Sequence, residues 1–136
     1  MVRTFIDADI LIHAARGTKE YAHRALEVLS DPDRAFISSN FVILEVVPKA
    51  RYHGRIAEGK LYRTFFEGVD EWVAPSVELI HSALELATKY GLSAMDSIHV
   101  AAAISANVDE FITGEKPSSP FFRVSVLHIS SLVEMR

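Results

Sequence analysis

The sequence predicts an α/β fold, a parallel sheet covered by helices on both sides. Short apolar segments alternate with longer segments of helical period along the whole chain. The short segments are apolar on both faces, as strands buried between two helical layers must be. A late alanine-rich helix, "SAMDSIHVAAAISAN", is suited to close packing against such a sheet.

The elements follow in order. "RTFID" (Arg3–Asp7) reads as a buried strand. A helix starting at Ile10 would take Asp9 as its N-cap. "KEYAHRALEVLSDP" is helical, with Ala22, Ala25, Leu26 and Leu29 on one stripe and a stop at Asp31-Pro32. "RAFIS" is the second strand. "SNFVILEVVPKARYH" is the next helix, in which Pro48 should cause a kink or a restart. "RIAEGKLYRTFFEGV" is helical, and "EWVAP" is a third short strand. In "SVELIHSALELATKYG" the stripe is Ile80, Ala83, Leu84 and Ala87, with Ser76 as cap and Gly91 as terminator. After the alanine-rich helix come "DEFITG" and "VSVLHI", the fourth and fifth strands. Lys116–Pro120 is the most loop-like stretch. There is no repeat or linker, and 136 residues fit one domain spanning 1–136.

Composition narrows the function. The chain has no cysteine, which excludes disulfides and thiolate metal sites. The longest stretches without formal charge, such as Ser97–Val108, fall short of the about 20 apolar residues a membrane span needs. No basic-then-apolar leader marks secretion, so a cytoplasmic location is expected. The net charge of −4 does not advertise a nucleic-acid binder. It is unevenly spread, however. Between Pro48 and Arg63 the cations Lys49, Arg51, Arg55, Lys60 and Arg63 face a single anion, Glu58. Such a patch can attract phosphate, and it also fits a solvated helix face.

Four acids stand where acids are costly. Asp7 ends the first strand, Glu45 is the only charge in "FVILEVV", and Asp96 has no charged neighbour between Lys89 and Asp109. Glu115 follows the fourth strand. In open α/β sheets ligands bind beyond the carboxyl ends of the strands, where these acids fall. Local readings exist for some. Ser93 and Asp96 have capping-box spacing, and Glu115 fits an ordinary loop acid. Asp7 has no such reading, because an unpaired charge at the end of a buried strand costs several kcal/mol. Converging carboxylates repel one another unless a divalent cation joins them. Oxygen ligands without Cys or His suit Mg²⁺ or Mn²⁺, and such ions serve phosphoryl chemistry. The six histidines show no ligand spacing and receive no role.

These residues resemble the PIN domain, the compact nuclease fold of toxin ribonucleases of the virulence-associated C (VapC) type. "FIDADILI" resembles its opening strand, and "ISSNFVILEVV" the serines and helix that carry its second acid. "GLSAMDSIHVAAAISANVDEFITGE" is the most specific match, with the third acid, the alanine-rich helix, the fourth strand and a Thr before the fourth acid. The resemblance implies a three-layer α/β/α sandwich on a five-stranded parallel sheet. It implies that Asp7, Glu45, Asp96 and Glu115 form a catalytic Mg²⁺ or Mn²⁺ site hydrolysing RNA. Asp9 stands where the family often has Asn or Ser and would support the site, as would Thr113; Glu115 stands where it usually has Asp. Arg51, Arg55 and Lys60 would guide the RNA backbone. A small antitoxin partner and a homodimer are further implications. One alternative is a degenerate PIN domain that only binds RNA or protein. The other is a haloacid-dehalogenase-like phosphatase, suggested by Asp7-x-Asp9; the absence of any Gly-Asp pair and the short chain speak against it.

Overall fold

A computed structural model describes residues 1–135. Among these, five strands and six α-helices follow one another as β1 (Val2–Ile6), α1 (Ala8–Arg16), α2 (Lys19–Leu29), β2 (Arg34–Ser39), α3 (Asn40–Tyr52), α4 (Ile56–Glu67), β3 (Glu71–Val73), α5 (Val77–Tyr90), α6 (Ala94–Ser105), β4 (Glu110–Thr113) and β5 (Ile129–Ser131). All strand pairs are parallel, in the order β3-β2-β1-β4-β5. From β1 the chain adds strands on one side as far as β3. It then crosses back to place β4 on the other flank of β1. The switch point of the sheet therefore lies between β1 and β4, and a ligand site is expected at their carboxyl ends.

The helices form two layers. Helices α1 to α4 pack on one another, whereas α5 packs along α6 and on the 3-10 turn Pro120–Arg123. Between the layers lie Phe5, Ile6, Ile37, Phe111 and Ile112, all fully buried. Phe5 stacks on Phe111 with centroids 5.6 Å apart, and Phe111 meets Phe121 at 5.3 Å. Ala101, Ala102 and Ala103 are buried, as the close-packing role of the alanine-rich helix requires.

Several boundaries differ from expectation, each for a physical reason. The first helix begins at Ala8, capped by Asp7, and Asp9 lies inside its first turn. Helix α3 runs through Pro48 without a break. The carbonyl deprived of its donor belongs to Leu44, and both Leu44 and Pro48 are exposed, a side of the helix where water can replace a missing donor. In α5, Ser76 and Gly91 are the caps, with Gly91 at φ +71°. The buried stripe there is Leu79, Ala83 and Tyr90, whereas Ile80 and Leu84 are 46% and 65% exposed. Helix α2 likewise buries Ala25 and Val28 and leaves Leu26 exposed. Both helices carry two overlapping apolar stripes, and periodicity cannot choose between them. The fifth strand is Ile129–Ser131 rather than the earlier "VSVLHI", because Ile129 is the residue in register with Phe111.

Candidate functional site

The site is assembled where β1 and β4 end. The Asp7 N–H still donates to Ile112 O at 2.9 Å, as though β1 continued for one residue. The chain then turns into α1, and the buried Asp7 carboxylate serves as its cap. Oδ1 accepts from the Ala8 N–H at 2.8 Å and Oδ2 from the Thr113 hydroxyl at 3.1 Å. Thr113 Oγ1 also accepts from the Glu115 N–H at 3.1 Å, so one hydroxyl ties the ends of both central strands. Asp9, two residues on in the first turn of α1, accepts from the Gly114 N–H at 2.9 Å. Gly114 leaves room for the two side chains that close over it. A Cβ there would lie 2.8 Å from Asp9 Oδ2 and 2.9 Å from the His13 ring.

The other acids arrive on helices. Asp96 occupies the first turn of α6, where Ser93 Oγ accepts its N–H at 3.3 Å. Glu45 projects from α3, and its Oε1 is in hydrogen-bond contact with Nε2 of His99, one turn beyond Asp96 on α6. Carboxylate oxygens of Asp7 and Glu45 and a ring nitrogen of His99 all lie within 4.8 Å of one another. The exposed side chain of Glu115 lines the adjoining cleft, of about 440 Å³, together with Asp96, His13, Tyr21 and Lys116.

The electrostatics record a convergence of like charge. Burial, and then the charges of Asp9 and Asp96, push the Asp7 carboxyl well above its ordinary range, against the Thr113 hydrogen bond; Glu45 adds to the push. Asp9 is pushed up to about 6, chiefly by burial, with Glu115 and Asp96 adding to it; the Gly114 N–H and His13 oppose the rise. Asp96 is raised by burial and by Glu45, against Ser93 and His99. Among the described residues, none of these five acids has a Lys or Arg in salt-bridge contact.

The structure thus brings Asp7 and Glu45 together beside His99, with Asp96 close enough to act on Asp7 and to feel Glu45; Asp9 and Thr113 lie behind them and Glu115 at the rim. Arg51, Arg55 and Lys60 line a separate groove between α3 and α4, with Arg63 and Ile56. Glu58, the one anion of that basic segment, is turned inward and accepts from the Tyr62 hydroxyl at 2.7 Å. Sequence reasoning missed His99. Its signal was present as Asp96-x-x-His99, a spacing that puts two side chains on one face of a helix. Asp9 caps no helix and instead anchors the β4 end.

The arrangement suits a hard divalent cation. The donors are mainly carboxylate oxygens, and they lie close enough together for one ion to reach more than one of them.

Similar folds occur in toxin–antitoxin assemblies. A VapBC2 complex from Rickettsia felis, bound to a DNA fragment from its promoter, superposes with a TM-score of 0.71 at 16% identity, covering 95% of this chain and 98% of that one. A toxin–antitoxin complex from Klebsiella pneumoniae gives 0.70 at 22% identity, covering 97% and 99%. VapC20 from Mycobacterium tuberculosis, a toxin that cleaves the sarcin–ricin loop, gives 0.68 at 13% identity, covering 88% and 94%. No curated protein matches the chain by sequence. The family model of the PIN domain matches residues 4–117, which include all four isolated acids, the whole of β4 and the carboxyl end of β1. The chain belongs to the PIN domain family.

Proposed function

We propose that the protein is a divalent-metal-dependent endoribonuclease, the toxin of a toxin–antitoxin pair. The convergence of Asp7, Glu45 and Asp96 without a Lys or Arg partner carries this reading. Carboxylates so placed repel one another and are stabilised together by a cation. Asp7, Glu45 and Asp96 would hold Mg²⁺ or Mn²⁺, with Glu115 at the rim as the fourth acid. Such an ion makes water nucleophilic near neutral pH and neutralises charge on phosphoryl oxygens.

The residues of the chain do the remaining work. The Ala8 N–H and the Thr113 hydroxyl fix both oxygens of Asp7, so its orientation does not depend on the ligand. Asp9 holds the Gly114 backbone and with it the approach of Glu115. Glu115 lies on the open side of the cleft, where it can orient water towards a phosphodiester. Arg51, Arg55 and Lys60 offer charge to an RNA backbone that extends beyond the cleft. The toxin role is supported by the likeness to solved toxin–antitoxin complexes. The same likeness supports a small antitoxin partner. A homodimer and a cytoplasmic setting complete the reading; among the described residues no helix is long and apolar enough to cross a membrane.

The test is cleavage of structured RNA with Mn²⁺ or Mg²⁺, against EDTA, for the parent and Asp96→Asn. The parent should cleave only with metal, and Asp96→Asn should lose at least about 100-fold while remaining folded. Cleavage in EDTA, or an unimpaired variant, would sink the assignment. A parent that neither binds Mn²⁺ nor cleaves would point to a binding module.

A further inference from the structure

His99 is fully buried beside Phe5, with ring centroids 6.1 Å apart, and only one of its nitrogens has a partner. Nε2 meets Oε1 of Glu45, whereas Nδ1 is buried without any hydrogen-bond partner. This asymmetry fixes the proton. A proton on Nδ1 would leave an N–H orphaned in the apolar interior and would turn the Nε2 lone pair against a carboxylate oxygen. With the proton on Nε2, the ring donates to Glu45 and only a lone pair is left without a partner. The nitrogen nearest the acids is then a donor, and it has no lone pair to offer a cation. Proximity alone would make His99 a candidate ligand alongside Asp7 and Glu45. The hydrogen bond argues otherwise.

We propose that His99 is a positioning residue: its Nε2–H holds one oxygen of Glu45 and keeps that carboxylate beside Asp7 with its second oxygen free for the ion. The inference rests on the metal site proposed above. The need for such a clamp follows from the neighbours of Glu45. Its carboxylate is a third exposed, on a flexible stem, and is repelled by both Asp7 and Asp96. Without a buried donor it would swing to solvent. Asp7 needs no such help, since it is held by Ala8 and Thr113. One turn of α6 therefore delivers both an acid, Asp96, and the clamp for another acid, on α3.

The experiment measures Mn²⁺ binding by calorimetry for the parent, His99→Gln and His99→Leu. It adds the nitrogen hyperfine spectrum of bound Mn²⁺ and melting curves of the metal-free variants. A Gln amide can place an N–H near the position of Nε2, whereas Leu fills the space without a donor. His99→Leu should weaken Mn²⁺ binding by about 10- to 100-fold while melting cooperatively, and His99→Gln should stay within a few-fold of the parent. Bound Mn²⁺ should show no imidazole coupling attributable to His99. Unchanged affinity in His99→Leu would overturn the positioning role and leave the metal site standing. Equal loss in both variants, or an imidazole coupling that His99→Gln removes, would make His99 a ligand instead. A parent that binds no Mn²⁺ would overturn the metal site and the clamp together.

Discussion

The two ends of the sheet handle charge in opposite ways. At the amino ends, Glu110, Glu71 and Asp109 each have a cation or a backbone donor. Glu110 pairs with Arg34 at 2.6 Å and accepts from the Ser130 hydroxyl. Arg3 reaches Glu71, and its N–H donates to Asp109 at 2.8 Å. Burial would raise Glu110, but the hydrogen bonds from Ser130 and Arg34 and the Arg34 charge outweigh it and hold the carboxyl below its ordinary value. At the carboxyl ends, Asp7, Asp9 and Asp96 are all raised and have no cationic residue to relieve them. One end meets its acids with cations and donors; the other gathers acids that raise one another. A chain that pairs Glu110 with a cation at one end of the same strands leaves Asp7, Asp9 and Asp96 without a Lys or Arg at the other.

This contrast can be broken by mutation. The largest effect is expected from Asp7→Asn. It should abolish metal-dependent RNA cleavage, by at least about 100-fold. It should also raise the melting temperature of the metal-free protein near pH 7, because a buried charge among like charges is removed. A lower melting temperature in calorimetry would show that Asp7 stabilises the fold rather than serving a ligand.

Arg34→Leu tests the other end. It leaves the half-buried Glu110 without its cation and should cost about 1–3 kcal/mol in urea unfolding. Cleavage per folded molecule should stay unchanged. A loss of cleavage at equal folded fraction would mean that the two ends are coupled.

The smallest effect is a pH dependence. A carboxyl whose folded pKa is raised binds more protons folded than unfolded, so stability is greatest at low pH and falls as pH rises through the folded value. For Asp9 the window runs from 3.8 to about 6, and Asp7 and Asp96 act in the same direction. The metal-free protein should therefore lose melting temperature between pH 4 and pH 6, and Mn²⁺ at pH 7 should restore it. Glu110, with its lowered pKa, works the opposite way and is lost only under more acid conditions. A melting temperature that climbs steadily from pH 4 to pH 7 without metal would contradict the picture of unrelieved acids.

Much of the site was legible because an acid inside an apolar run has few explanations. Asp7, Glu45 and Asp96 were conspicuous for that reason, and the structure gathers them. Glu115 was conspicuous by its place after β4, and it lines the cleft rather than joining the buried group. His99 was not legible. A lone histidine among alanines reads as core, and only the approach of α3 to α6 gives it a partner. The capping of α1 was misread for a related reason. Asp7 and Asp9 are both good caps by type, and the choice depends on Thr113 and Gly114, more than 100 residues away.

By itself, the sequence determined the alternation of strands and helices, the burial of the strands on both faces and the acids set apart from other charge. These follow from local period and from the cost of burying charge, which act within a few residues. The tertiary structure decided which stripe of α2 and α5 is buried, where the last strand pairs, which acid caps and which anchors, and which histidine touches the site. Those choices depend on surfaces brought together by the crossing of the chain from β3 back to β4. No local pattern encodes what lies on the other side of a contact.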